Sequence, residues 1–491
     1  MNANVPLPLP PALECDLLVI GAGPAGLAAA TRAAGLGLDT VLIDEQPAAG
    51  GQIYRAIGST PVQDRAILGA DYWHGLDLLA PFRASGARHV AGTMVWAVSP
   101  TARGFEVAYS NAAERTSGLL HCRHIIVATG AQERPFPIPG WTLPGVLTAG
   151  AAQILLKTAG VVPTGTTVLA GAGPLLYLLA WQYLNAGVKI HALLETGMPG
   201  QWRHALPFAW GFLRSPYLGK GLKLLRAVKA QVPIIGNVTA LEALEAPGHA
   251  GRLAQLRYQA DGQTHTLAVD QLLLHQGVVP NTQLSRALGA EHAWNERQDC
   301  WEPVVDGWGA SSVPQLTIAG DGAGIAGALA AEHRGRLAAV NAAASLGVID
   351  SARRDREAAP HRAALSRAMR GREFFETLYR VPEPLRRPVG DTIVCRCEEV
   401  TAAQVREATR IGCQGPNQLK AFLRCGMGPC QGRFCGLTVA EVMADEQGRH
   451  PRDVGSYRVR FPIKPVTLGE IASLPQTQAS RDAVVRFAKK P

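Results

Sequence analysis

The stretch Asp16 to Ala30, DLLVIGAGPAGLAAA, decides the fold. Asp16 to Ile20 reads as a short buried strand, apolar throughout after the aspartate. Gly21, Gly23 and Gly26 then form GxGxxG around Pro24 and Ala25, and an Ala/Leu-rich helix follows at once. The first glycine permits a tight turn, the second lets backbone approach a pyrophosphate, and the third lets helix pack on strand. The helix N-terminus offers free N–H groups and a partial positive charge to the phosphates. A second strand, Thr40 to Ile43, ends in Asp44 and Glu45, placed to take a ribose hydroxyl. Strand, glycines, helix, strand and terminal acid in register predict dinucleotide binding.

Outward from this turn, AAGGQIYR (Ala48 to Arg55) sets a Gly50-Gly51 turn and Gln52 behind the ribose acid, where backbone can lie against an extended cofactor. HIIVATGAQERPFPIPG (His124 to Gly140) is a buried strand, then Ala128-Thr129-Gly130, then a proline-punctuated loop. TVLAGAGPLLYLLAWQYL, from Thr167, is a second nucleotide-fold candidate, with Gly171 and Gly173 in the turn and Glu195 ending the next strand. Its third glycine position is Leu176, whose bulk should push helix from strand or force a differently seated ligand. An intact acid there favours a free ribose 2′-hydroxyl over a phosphate, and NAD or ATP is the candidate ligand of residues 171–195. The segment Gln315 to Ala339 is strand, Gly320-Asp321, glycine-rich turn and helix. Asp321 is placed to accept from a ribityl hydroxyl, and the helix end to stabilise negative charge on a flavin ring.

This order of motifs resembles the two-dinucleotide-domain flavoproteins, which include thioredoxin reductase, over roughly residues 14 to 345. The resemblance implies FAD held by Gly21, Gly23, Gly26, Asp44, Gln52, Thr129, Gly130 and Asp321. No C-x-x-C occurs in this part of the chain, which argues against disulfide reductase chemistry there.

With 491 residues the chain has room for two or three domains, and 47% hydrophobic content supplies large cores. The net charge of +9 owes much to an Arg-rich stretch, Arg353 to Arg387. No aromatic-interleaved basic motif accompanies it, so a solvated face or a protein surface is expected rather than nucleic-acid binding. The N-terminus shows no charged n-region and apolar h-region, and the most apolar window, Val168 to Leu184, is interrupted by glycine and proline. Six of the nine cysteines fall between Cys395 and Cys435, which points to a metal centre in a reducing, cytoplasmic compartment. Membrane contact is expected to be peripheral at most, through the electron acceptor.

Cys395 and Cys397 lie in DTIVCRCEEVT, and Cys425, Cys430 and Cys435 in CGMGPCQGRFCG. Four thiolates from two loops bridged by helices suit a 2Fe-2S cluster. Zinc in a closed four-cysteine site is the competing reading, but zinc ribbons favour paired C-x-x-C knuckles. Cys425–Cys430 and Cys430–Cys435 are both C-x4-C pairs, so spacing leaves the ligand set open. The module is similar to the bacterioferritin-associated-ferredoxin-like domain of certain flavin dehydrogenases. That resemblance assigns the last two ligands to Cys430 and Cys435, joining Cys395 and Cys397; it leaves Cys425 an extra thiol and Cys413 a core residue.

Nearly the whole chain, including GGQIYR and the tail YRVRFPIKPVTLGEIASL, resembles the α subunit of the opine oxidase and D-hydroxyproline dehydrogenase family. The hydrogen cyanide synthase flavoprotein is a more distant likeness. The family implies an amino-acid-oxidase-like flavoprotein β subunit that oxidises a secondary amine acid, with two additional candidates, an FMN at the interface and a further small subunit. No paired acid and base is placed by motif beside the flavin, so no catalytic residue is assigned. The expected class is α/β, with an FAD domain (1–158 and 266–350) interrupted by a degenerate NAD-type domain (159–265). An Arg/Pro-rich linker (351–388), a helical 2Fe-2S domain (389–445) and a tail (446–491) follow.

Overall fold

The Leu13–Ile20 strand is buried from Leu17 onward on both faces, as a run without polar alternation requires. It pairs in parallel with Thr40–Ile43 on one side and Thr116–Val127 on the other. The computed structural model describes residues 13–111, 113–114, 116–246 and 249–475; the chain ends within the expected FAD domain and tail, 1–12 and 476–491, lie outside them. The first sheet has seven strands in the order Arg88–Val90, Thr40–Ile43, Leu13–Ile20, Thr116–Val127, Gly104–Asn111, Thr93–Thr101. The seventh, Leu316–Ile318, pairs in parallel with Thr116–Val127, so distant segments complete one sheet.

Two alanine-rich helices, Pro24–Gly35 and Ala328–Ser345, lie against each other over this sheet. Their small side chains let the backbones approach closely; a Cβ at Gly335 would fall on the Ala25 carbonyl. Buried Ala28, Ala29, Ala338, Ala339 and Ala342 share one core with Leu27 and Ile126.

The second sheet is fully parallel, in the order Ile234–Ile235, Ile190–Glu195, Thr167–Ala172, Gln271–Gln276, Val146–Thr148. Its apolar window is strand Thr167–Ala172 and helix Pro174–Asn185, and no helix among the described residues is long and apolar enough to cross a membrane. The architecture is therefore α/β with two Rossmann-like sheets.

Residues 351–388, expected from their arginines and prolines as a linker, are structured. Helix Ser351–Met369 packs on Ala328–Ser345, and short helices Arg372–Leu378 and Glu383–Arg386 follow. Beyond them, the hairpin Ile393–Cys395/Val400–Thr401 and helices Ala402–Arg410, Pro416–Leu423 and Gly436–Gln447 enclose a separate core. Thr401 and Gln404 cap the first helix reciprocally. The module is anchored to the rest by a buried Arg386–Glu441 ion pair, with Asp299 3.7 Å from the same arginine.

Candidate functional site

The glycine turn has the shape a phosphate cradle needs. Gly21 has φ +107°, and a Cβ there would lie 2.5 Å from the Ala128 carbonyl oxygen. A Cβ at Gly26 would fall on the Gly21 carbonyl, and one at Gly51 would lie 2.6 Å from Gly23 Cα. Close backbone approaches therefore meet where Gly21, Gly23, Gly26 and Gly51 stand, and side chains are kept out of the turn.

The acids expected at ribose and ribityl positions carry a structural duty as well. Asp44 Oδ2 accepts from Ala22 N–H at 2.5 Å and Oδ1 from Gln46 N–H at 2.7 Å. Burial pushes its carboxyl up while these N–H groups pull it down. Glu45 pairs with Lys464 of the tail at 2.7 Å. Asp321 Oδ1 accepts from the Ala326 and Gly327 N–H groups, both at 2.9 Å, which holds the entry to helix Ala328–Ser345. Gln52 accepts from Arg55 at 3.0 Å, and Thr129 leans on Asn281 O at 3.5 Å.

Lys157, 1% exposed, donates to Gln52 O, Ile53 O and Gln153 Oε1 at 3.3, 2.9 and 2.8 Å, bracing the Gly51–Arg55 turn. Burial, reinforced by the Arg55 charge, pushes its pKa down to about 7. An unfolded lysine keeps its proton to about 10.4. Between these values the unfolded chain binds more protons, so this group makes stability rise with pH from about 7 to about 10. Denaturant midpoints at pH 7 and pH 9 should show wild type gaining on Lys157→Met as pH rises; a gap that stays constant or shrinks refutes it.

In the second fold, Gly171 and Gly173 have φ +143° and +112°, and Leu176 is fully buried in the sheet–helix core. Glu195 is occupied: its Oε1 accepts from Tyr177 O–H at 2.6 Å.

One cavity of about 1160 Å³ joins these parts. Its wall includes Gly21, Gly23, Pro24, Ala25, Asp44, Glu45, Gly51, Gln52, Ala128, Thr129, Gly130, Gly320, Asp321 and, at the second fold, Gly173. Gly26, Gly171 and Glu195 shape the turns or strand end behind it. Sequence reasoning missed three contributions to this wall. Phe374, Phe375 and Tyr379 come from the expected linker, where REFFETLY within the basic stretch was the available signal. Lys464 comes from the tail. Glu133 and His275, 142 residues apart, meet at 2.8 Å with side chains 14% and 2% exposed, and no local pattern announces that pair.

The cysteine loop closes another side of the cavity through Arg433 and Phe434. Gln132 donates to Arg433 O at 2.7 Å, Gln283 to Gln431 O at 3.0 Å, and Phe434 stacks on Trp141 with centroids 5.8 Å apart. Within the module, Cys395, Cys425 and Cys435 are buried, their sulfurs all within 4.8 Å of one another. Cys430 neighbours Cys435 and Cys397, and Cys397 is exposed. The convergent group is therefore Cys395, Cys425 and Cys435, which brings Cys425, expected as a bystander, directly against two of the four expected ligands. Cys413 is buried in the module core outside this group. The thiols perturb one another in opposite directions: Cys425 and Cys435 pull the Cys395 thiol down to about 2 and Cys435 brings Cys430 to about 5, while Cys425 and Cys435 are themselves pushed up. Thiols gathered this closely are chemically suited to a thiophilic metal centre.

Comparison with known proteins agrees with this layout. Residues 15–199 match the pyridine nucleotide-disulphide oxidoreductase family, and residues 390–474 match the sarcosine oxidase A3 domain. The chain is 44% identical to an opine oxidase subunit of Agrobacterium tumefaciens over 96% of its own length and 93% of that protein. It is 33% identical to hydrogen cyanide synthase subunit HcnB of Pseudomonas aeruginosa, over 93% and 98%. Among solved structures, L-proline dehydrogenase from P. horikoshii shares the fold, with TM-score 0.70 at 18% identity over 94% of this chain and 80% of that one. The match to opine oxidase subunits runs nearly end to end on both sides, and the chain belongs to their family of flavoprotein oxidoreductase subunits.

Proposed function

We propose that this chain is the FAD- and 2Fe-2S-containing electron-transfer subunit of a heteromeric flavin dehydrogenase. The substrate, a D-hydroxyproline- or opine-like secondary amine acid, is oxidised on a partner subunit, and electrons leave through this chain to an acceptor other than O2. The observation that carries the reading is the shared cavity: glycine turn, Gly320-Asp321 and cysteine-loop residues Arg433 and Phe434 wall one space.

FAD supplies two-electron redox chemistry and the cluster a one-electron outlet. Gly21, Gly23, Pro24, Ala25 and Gly26 cradle the pyrophosphate on the helix N-terminus. Asp44 and Glu45 flank the ribose, while Gly51, Gln52, Ala128, Thr129, Gly130, Gly320 and Asp321 border the rest of the cofactor. Cys395, Cys397, Cys430 and Cys435 would hold the cluster. Their attachment to the cavity wall through Gln132 and Gln283 keeps the two centres in one rigid frame.

The alternative, a self-contained NAD(P)H-dependent reductase, needs a working second site, where Leu176 takes the third glycine position and Glu195 already accepts from Tyr177. Anaerobic titration of the purified chain decides between them. NADH and NADPH should leave the flavin absorbance unchanged, whereas the partner subunit plus an imino acid should bleach it and raise a reduced-cluster EPR signal. Rapid bleaching by NADH alone overturns the subunit reading.

A further inference from the structure

One side chain from the segment after the last cysteine is built into the thiol array. Tyr457 is 6% exposed, and its ring lies in a cradle of three glycines. A Cβ at Gly426, Gly432 or Gly436 would press on that ring at 2.6, 2.6 and 3.1 Å. Lys420 Nζ stands 5.0 Å from the ring centroid. For packing alone, phenylalanine would serve as well. The hydroxyl is therefore what needs a reason, because a buried phenol without a partner is costly. It makes no hydrogen bond among the described residues, and the ring carbon that bears it, Cζ, lies against Gly426, next in the chain to Cys425. Cys425 is fully buried and lies within 4.8 Å of both Cys395 and Cys435. The phenol thus packs beside a buried thiol that itself adjoins one pair of the proposed ligands.

We propose that Tyr457 and Cys425 are positioning residues of the cluster and not ligands: the Tyr457 O–H donates toward the Cys425 sulfur, and the Cys425 S–H donates to the Cys395–Cys435 thiolate pair. The inference rests on the 2Fe-2S reading above. Five thiols compete for four positions, and the proposed ligand set leaves Cys425 as the thiol beside Cys395 and Cys435. Reduction adds an electron to an already anionic all-thiolate centre. Donors aimed at its sulfurs stabilise the more negative state and raise the potential.

The experiment is an EPR-monitored redox titration of the full chain, with iron and sulfide analysis, on wild type, Tyr457→Phe, Cys425→Ala and Cys425→Ser. Tyr457→Phe keeps the ring in its glycine cradle and removes only the donor. Tyr457→Phe and Cys425→Ala should retain wild-type iron while the equilibrium constant for reduction falls by up to about tenfold, about 59 mV toward negative for one electron. Cys425→Ser, which keeps a donor, should recover most of that loss. Loss of iron in Cys425→Ala would make Cys425 a ligand and overturn the assignment, and an unchanged potential in Tyr457→Phe would remove the donor role. A wild-type chain holding zinc and no iron would instead overturn the cluster itself, visible before any variant is compared.

Discussion

Gly26→Ala is expected to yield a chain that purifies with almost no flavin. The new methyl would fall on the Gly21 carbonyl oxygen, with Ala128 Cβ also only 3.4 Å from it. Relief requires helix Pro24–Gly35 to lift from the strand, but Leu27, Ala28, Ala29 and Ala30 hold it there, all at most 3% exposed. The strain is that of an overpacked core, about 3 kcal/mol at the upper end of such cases. Expressed in the phosphate cradle, that is about a hundredfold in cofactor affinity. The flavin-to-protein absorbance ratio checks this directly. Gly35→Ala is the control: it sits on the same helix with nothing within 4 Å of a new Cβ, and should keep full flavin. Undiminished flavin in Gly26→Ala would show that the turn is not the seat.

Cys435→Ala should abolish the iron signal while leaving flavin in place. Cys435 is 1% exposed, precedes helix Gly436–Gln447, and contacts Cys395, Cys425 and Cys430. It is one of the three thiols whose sulfurs converge within 4.8 Å. Removing it leaves three liganding thiols, and iron content should fall more than about tenfold, since metal binding here is also folding energy for a small module. Residues around Ile393–Gln447 should become protease-sensitive for the same reason. The flavin seat is built by other elements, so its occupancy should persist. Iron retained in Cys435→Ala would exclude this residue from the ligand set.

These two expectations come from features legible in local sequence. The glycine turn, its flanking strands and its helix are neighbours along the chain, and glycine's value there is a steric property of the backbone itself. The same holds for the cysteine loops, whose C-x-C and C-x4-C spacings put several thiols on each short turn. The α/β class, the family and the proposed flavin seat could be read that way. The ligand set was less legible, because two C-x4-C pairs are equivalent by spacing, and only the fold shows Cys425 lying against Cys395 and Cys435.

What needed the tertiary structure is whatever depends on contacts between distant segments. An Arg/Pro-rich stretch reads as a linker, because its charge suggests solvation, yet Phe374, Phe375 and Tyr379 turn inward and wall the cavity. Glu195 reads as a free ribose acid until Tyr177 is seen to hold it. Tyr457 reads as an ordinary tail residue until three glycines are found around its ring. Steric demands and thiol chemistry act over a few residues, so the sequence by itself determined the turns and the cysteine clusters. Burial and hydrogen-bond satisfaction act across space, so only the packed chain decided which acids accept hydrogen bonds, which thiols converge, and that the glycine turn and the cysteine loop share one wall.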